Sequence, residues 1–222
     1  MIRALNHVDS WVFDLDNTLY PARADLFARI DRRMTEYIAR LLDLPFDEAW
    51  RVQKRYFHAH GTTLAGLMAE HDVDPHAFLA DVHDIEMDAL EADAPLVAAI
   101  ARLPGRKLVF TNGDAPYALK VLDRLGLGAS FEGVHDIHAM ALAPKPAASA
   151  YAGLCDRWGI DPARALFADD MARNLRPAKA IGMTTVWVDN GSEQDPQDAA
   201  RDFIDYRVCE LTPWLEEILE TA

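Results

Sequence analysis

Short apolar runs that stop abruptly at polar or acidic residues recur along this chain, and they constrain its fold more than any other feature. Ser10 to Phe13 (SWVF) runs straight into Asp14-Leu-Asp16-Asn17-Thr18, Lys107 to Phe110 (KLVF) into Thr111-Asn112-Gly113-Asp114, and Ala165 to Ala168 (ALFA) into Asp169-Asp170. Thr184 to Val188 (TTVWV) is a further run, Phe131 to Ile137 a weak one, and Tyr206 to Val208 a candidate edge. Apolar stretches bounded by turn-forming residues read as buried strands. Helical stretches lie between them: Pro95 to Leu103, Pro116 to Leu125 before Gly126, Ala147 to Trp158 before Gly159, Leu175 to Ile181 before Gly182, and a closing Thr212 to Leu219. Strands that alternate with helices imply βαβ units and a parallel sheet, so the predicted class is α/β.

The segment from Ala24 to Glu91 breaks this rhythm. Leu26, Phe27, Ile30, Met34, Ile38 and Leu42 form one helical stripe over Ala24 to Leu42. Phe46 to Ala59, Thr63 to His71 and Pro75 to Leu90 follow with helical spacing, the last opening on a proline suited to a first turn. No strand pattern interrupts them. The chain therefore reads as a sheet-forming part, residues 1–21 and 95–222, with an all-helical insertion over residues 22–94.

Charge narrows the partners. The 22 basic residues face 36 acidic ones, a formal net charge of −14, which argues against nucleic-acid polymers and anionic membranes. A small anionic substrate stays compatible, because a site needs only local positive charge. Cys155 and Cys209 form no CxxC pattern and read as unpaired thiols of a reducing compartment. Residues 1–10 lack an apolar signal core, and no apolar run of about 18 residues occurs, so the expected location is cytoplasmic. The oligomeric state is not encoded in any of these patterns.

In an open parallel sheet, ligands bind at the carboxyl ends of the strands. That rule sends Asp14, Asp16, Thr111 and the Asp169-Asp170 pair to one edge, joined by Lys145 between Pro144 and Pro146. Two carboxylates about 4 Å apart repel by about 4 kcal/mol at an effective dielectric of about 20, so such a cluster needs a cation. Oxygen donors without histidine favour Mg²⁺. Asp14 then reads as a nucleophile toward a phosphate ester, with Lys145 and the metal neutralising charge. Asp16 is placed to protonate the leaving oxygen and later to activate water. Thr111 and the amides of Asn112 and Gly113 would hold the phosphoryl oxygens, and Asp170 would complete the metal shell.

These motifs, in this order, resemble the haloacid dehalogenase superfamily of phosphohydrolases: DLDNT at Asp14, TN at Thr111, then Lys145, then Asp169-Asp170. The resemblance implies a Rossmann-like core with helices on both faces and a helical cap inserted after the first motif. It also implies that Asp14 and Asp170 bind Mg²⁺ through side chains and Asp16 through its carbonyl, with Asp169 as a further metal-site residue. DLDNTLYP from Asp14, HGTTLAGL within Tyr56 to Leu67, VHDI from Val82 and LPGRKLVFTNG from Leu103 are similar to the pyrimidine 5′-nucleotidase branch. That similarity implies nucleoside 5′-monophosphates as substrates, with the cap setting specificity; Thr62, Thr63 and His83 are its candidate substrate contacts.

Each signal has a plainer reading. Asp14 and Asp16 could cap a turn, Thr111 to Gly113 could be turn chemistry alone, and Lys145 a surface lysine. His58 and His60 point to different sides of a helix, a poor metal pair. The acidic run Glu193 to Asp205 reads as a solvated loop. Competing functions are phosphomutase or other small-metabolite phosphatase activity on the same scaffold, 2-haloacid dehalogenation, and a non-enzymatic phospho-switch. Displacing halide requires no proton, so Asp16 counts against dehalogenation.

Overall fold

The computed structural model describes residues 5–192, 194 and 201–220. Glu193 and residues 195–200 of the acidic run, like residues 1–4, lie outside the described residues. Six strands form one parallel sheet: β1 (Ser10–Phe13), β2 (Arg106–Phe110), β3 (Gly133–His135), β4 (Ala165–Asp169), β5 (Thr184–Val188) and β6 (Tyr206–Val208), in the order β3-β2-β1-β4-β5-β6. Strand β1 sits centrally, with Val12 opposite Leu108 on one side and Phe167 on the other. Trp11, Val12 and Phe13 are fully buried, as a strand covered on both faces requires. Each such side chain contributes about 1.5–3 kcal/mol of burial.

Helix α5 (Ala94–Arg102) leads into β2 through Gly105, which has φ +76°; a Cβ there would lie 2.1 Å from the Asp9 carbonyl oxygen. That carbonyl accepts the Arg106 amide at 2.8 Å at the start of the β1–β2 ladder, so only glycine permits the approach. Helices α6 (Ala115–Arg124), α7 (Ala148–Trp158) and α8 (Ala172–Ala180) connect the later strands, and α9 (Leu211–Glu220) packs on α5. This is the α/β, Rossmann-like sheet expected from the strand–helix alternation.

Between β1 and α5 lie four α-helices and no strand: α1 (Leu26–Leu42), α2 (Phe46–His60), α3 (Thr63–Glu70) and α4 (Pro75–Val82). Helix α1 packs on α2 and α4, burying Leu26, Ile30 and Ile38. Gly66 lets α3 close on α2, since a Cβ there would lie 2.4 Å from Tyr56 Cβ.

Three elements differ most from the sequence reading. Helix α4 stops at Val82, not Leu90. His83 leaves the helix at φ −91°, ψ 0°, and Met87 and Leu90 are buried from an irregular return segment, so their spacing mimicked a helical stripe. Helix α8 begins at Ala172, not Leu175, because Asp169 Oδ1 accepts the Met171 amide at 2.8 Å and starts the turn early. The weak strand over Phe131 to Ile137 contracts to Gly133–His135, where pairing with β2 ends. No helix among the described residues is long and apolar enough to cross a membrane.

Candidate active site

The carboxyl ends of β1, β2 and β4 meet as the strand-end rule requires. Asp14 follows β1 directly, and its amide donates to the Ala168 carbonyl of β4 at 2.9 Å. Lys145, only 1% exposed, reaches inward from the loop before α7. Its Nζ donates to Asp14 Oδ1 at 2.7 Å, to Asp169 Oδ2 at 2.8 Å and to the Phe110 carbonyl at 2.8 Å. The ammonium is thereby fully satisfied and sits between two carboxylates. Asn112 fixes the backbone that carries it: Asn112 Oδ1 accepts the Lys145 amide at 2.8 Å, and Asn112 Nδ2 donates to the Lys145 carbonyl at 3.2 Å.

Asp14, Asp169 and Asp170 are all buried, and each offers an oxygen within 4.8 Å of the others. The two acids of the pair differ, however. Asp169 Oδ1 accepts from Met171 N and Asn174 Nδ2, and its Oδ2 from Lys145 Nζ and Asn174 Nδ2, so its accepting capacity is heavily used. Burial, reinforced by Asp14 and Asp169, lifts the Asp170 carboxyl well above the usual range. Burial likewise pushes Asp14 up to about 7, opposed by Lys145 and reinforced by Asp169 and Asp16. Burial works against the Lys145 ammonium, yet Asp14 and Asp169 hold its pKa at about 12. Closely packed acids that resist ionisation while a single lysine offsets them are a site short of positive charge. The buried, oxygen-only donors of Asp14 and Asp170 fit a hard divalent cation such as Mg²⁺.

Asp16 stands apart from the metal-ready side chains. Its Oδ1 accepts from Tyr20 Oη and from Tyr117 Oη, both at 2.6 Å. Thr18 ties the two acidic loops together: its Oγ1 donates to Asp14 Oδ2 at 3.1 Å and accepts the Asp170 amide at 3.1 Å. Thr111 Oγ1 accepts the Gly113 amide at 3.0 Å, which leaves the hydroxyl proton to donate elsewhere.

A cavity of about 400 Å³ opens over this edge. Every residue expected at the site from sequence lines it: Asp14, Asp16, Thr111, Lys145, Asp169 and Asp170, and also Asn112, Gly113, Thr62, Thr63 and His83. Three of the expected substrate contacts have side chains occupied within the protein. Thr62 Oγ1 caps α3 by accepting the Ala65 amide at 3.1 Å, His83 Nδ1 pairs with Asp114 Oδ1 at 2.9 Å, and the Asn112 amide grips Lys145. Sequence reasoning missed the grip of Tyr117 and Asn174 on the site. Tyr20, four residues past Asp16, was visible as a neighbour; Tyr117 has no sequence signal, being 101 residues from its partner.

The haloacid dehalogenase-like hydrolase family model matches residues 8–182, which include all of these acids and Lys145. The chain belongs to the haloacid dehalogenase-like hydrolases. Among curated relatives, "Phosphate metabolism protein 8" of Saccharomyces cerevisiae is 26% identical over 190 residues, covering 77% of this chain. The chain spans 58% of that relative's length. Among solved structures, a HAD phosphatase from Thermococcus onnurineus aligns with TM-score 0.64 at 19% identity over 96% of this chain and 98% of its own. An L-2-haloacid dehalogenase from Xanthobacter autotrophicus with chloropropionic acid covalently bound aligns with TM-score 0.58 at 20% identity, over 97% of this chain and 100% of its own. Both structural likenesses concern the haloacid dehalogenase-like fold, shared by phosphatase and dehalogenase alike.

Proposed function

We propose that this hydrolase cleaves phosphate monoesters with Mg²⁺ through an aspartyl-phosphate on Asp14, acting on nucleoside 5′-monophosphates. The observation that carries the reading is the 2.7 Å contact between Lys145 Nζ and Asp14 Oδ1 inside a buried group of carboxylates. A carboxylate reaches a phosphate dianion only where charge is neutralised beforehand. An oxygen of Asp14 bonds to phosphorus as the ester P–O bond breaks, and Asp16 gives its proton to the departing alkoxide. Asp16, now ionised, takes a proton from the water that attacks phosphorus, which frees phosphate and restores Asp14. Thr111 and the amides of Asn112 and Gly113 bind the phosphoryl oxygens.

The side chains of Asp14 and Asp170 and the carbonyl of Asp16 would hold Mg²⁺, which when bound neutralises phosphate charge. Asp169 lies within reach of that metal but chiefly orients Lys145. Residues 22–94 act as a cap over the sheet-bearing 1–21 and 95–222, with Thr62, Thr63 and the segment at His83 lining the substrate side. The name of the yeast relative agrees with a phosphate-containing substrate. Dehalogenation is disfavoured by Asp16, since halide leaves unprotonated.

Phosphate release is measured with Mg²⁺ on uridine, cytidine and adenosine 5′-monophosphates, ribose 5-phosphate, glycerol 3-phosphate and 4-nitrophenyl phosphate, beside halide release from 2-chloropropionate. Phosphate release that Asp14→Asn and EDTA both abolish supports the proposal. Halide release with no phosphate from any ester sinks it.

A further inference from the structure

We infer that Tyr20 and Tyr117 position Asp16 for proton transfer to the leaving oxygen, with His83 bracing Tyr117 from the helical insertion. The inference rests on the phosphatase reading above and adds the residues that position its proton-transfer group.

Both phenols point their single proton at the same carboxylate oxygen, Asp16 Oδ1, at 2.6 Å, and the two hydroxyls lie 3.4 Å apart. Tyr20 is 2% exposed and Tyr117 1%, so water does not compete for these bonds. Two donors on Oδ1 lock the carboxylate's rotation and occupy that oxygen, so proton exchange with substrate falls to Oδ2. Simple solvation of an acid at a strand end requires no such arrangement. Two buried hydroxyls converging on one oxygen serve to hold a reacting group within the narrow limits that proton transfer demands.

The brace comes from a different part of the chain. The His83 ring stacks on Tyr117 with centroids 4.3 Å apart and planes 15° from parallel. His83 Nδ1 donates to Asp114 Oδ1 at 2.9 Å, and the same oxygen accepts the Tyr117 amide at 3.2 Å to cap α6. His83 closes α4, so seating the helical insertion on the sheet edge also seats the Tyr117 ring. His83, expected from sequence to touch substrate, is a positioning residue in this reading.

A positioned proton donor matters only when the leaving group is a poor one. An alkoxide needs the proton as the P–O bond breaks; 4-nitrophenolate and halide do not. The test compares kcat on 4-nitrophenyl phosphate with kcat on whichever aliphatic ester of the panel the wild-type protein cleaves fastest. For Tyr20→Phe/Tyr117→Phe the expected loss on the aliphatic ester exceeds that on the nitrophenyl ester by about ten-fold or more, with KM little changed. His83→Ala should show the same asymmetry to a smaller degree. Thermal melting establishes that each variant is folded, and either single tyrosine variant carries the test if the double one is not. Equal losses on both esters would assign the tyrosines a purely structural role and overturn the inference. A wild-type protein that cleaves only the nitrophenyl ester would also overturn it while leaving the phosphatase reading intact. Inertness toward every ester would fell the two together.

Discussion

The sheet edge and the helical block enclose one cavity by opposite means. At the edge, polar side chains are held by specific hydrogen bonds: Lys145 makes three, Asp169 is held by Lys145, Asn174 and Met171, and Asp16 by two tyrosines. Across the cavity, the helical wall is formed largely by Phe27, Ile30, Met34, Phe57, Leu64 and Leu79. Its polar residues include Thr62, Thr63 and His83 and a local cluster, in which Gln53 Nε2 donates to Asp31 Oδ1 at 2.6 Å and Lys54 Nζ to the same oxygen at 3.3 Å. On the proposed function, chemistry on phosphorus demands particular atoms at particular distances, whereas a helical cap would need only shape and a few polar contacts. The edge should therefore fail abruptly under substitution and the cap by degrees.

The sharpest break is expected at Asp14. Asp14→Asn should lower turnover by at least about 10³-fold in phosphate-release assays while leaving the melting temperature undiminished, because the amide removes one of several mutually repelling buried acids. A lowered melting temperature would mean that the Asp14–Lys145 pair supports the fold more than the reaction.

Lys145→Met comes next. It leaves Asp14 and Asp169 without their shared cation, and denaturant unfolding should show a loss of about 3–5 kcal/mol. Mg²⁺ should recover part of that loss. At about 100 times its dissociation constant a bound ion stabilises by about 2.7 kcal/mol, and Asp170→Asn should remove this Mg²⁺-dependent rise in melting temperature.

A third effect belongs to the edge of the sheet but not to its chemistry. His135 is fully buried at the end of β3, and burial lowers its pKa to about 4. The unfolded chain takes up a proton near pH 6.5, the folded protein only near 4. The protonated ring therefore favours unfolding, so stability is complete above about pH 6.5 and falls progressively as the pH drops toward 4. A shift of this size corresponds to at most about 3 kcal/mol over that window, and His135→Phe should flatten the pH dependence in urea titrations at stepped pH.

The smallest effect lies in the helical block. Thr62→Ala removes the α3 cap and should reduce stability by about 1 kcal/mol by chemical denaturation. Its effect on KM should exceed that on kcat, since Thr62 lines the wall and not the reacting edge. A fall in kcat as steep as that of an edge variant would erase the contrast between the two regions.

That contrast also explains what the sequence made legible. The site acids were visible because each follows an apolar run, and a parallel sheet sends all such endings to one edge. Thr18 sat in plain view within DLDNT, but its role in joining Asp14 to the Asp170 amide depends on a loop 152 residues away. On the helical side, periodicity announced four helices yet misjudged α4, because Met87 and Leu90 keep a helical spacing without a helix.

By itself, then, the chain's residue order determined a parallel α/β sheet, a helical insertion after the first strand, and which acids, threonine and lysine would meet. Those follow from local rules: apolar period, turn chemistry, and the placement of strand ends. Tertiary structure alone decided that Tyr117 would hold Asp16, that His83 would brace Tyr117, and that Asn174 with Lys145 would occupy Asp169. Each is a matter of hydrogen-bond direction or ring contact between separate elements, and such vectors exist only once the elements have packed.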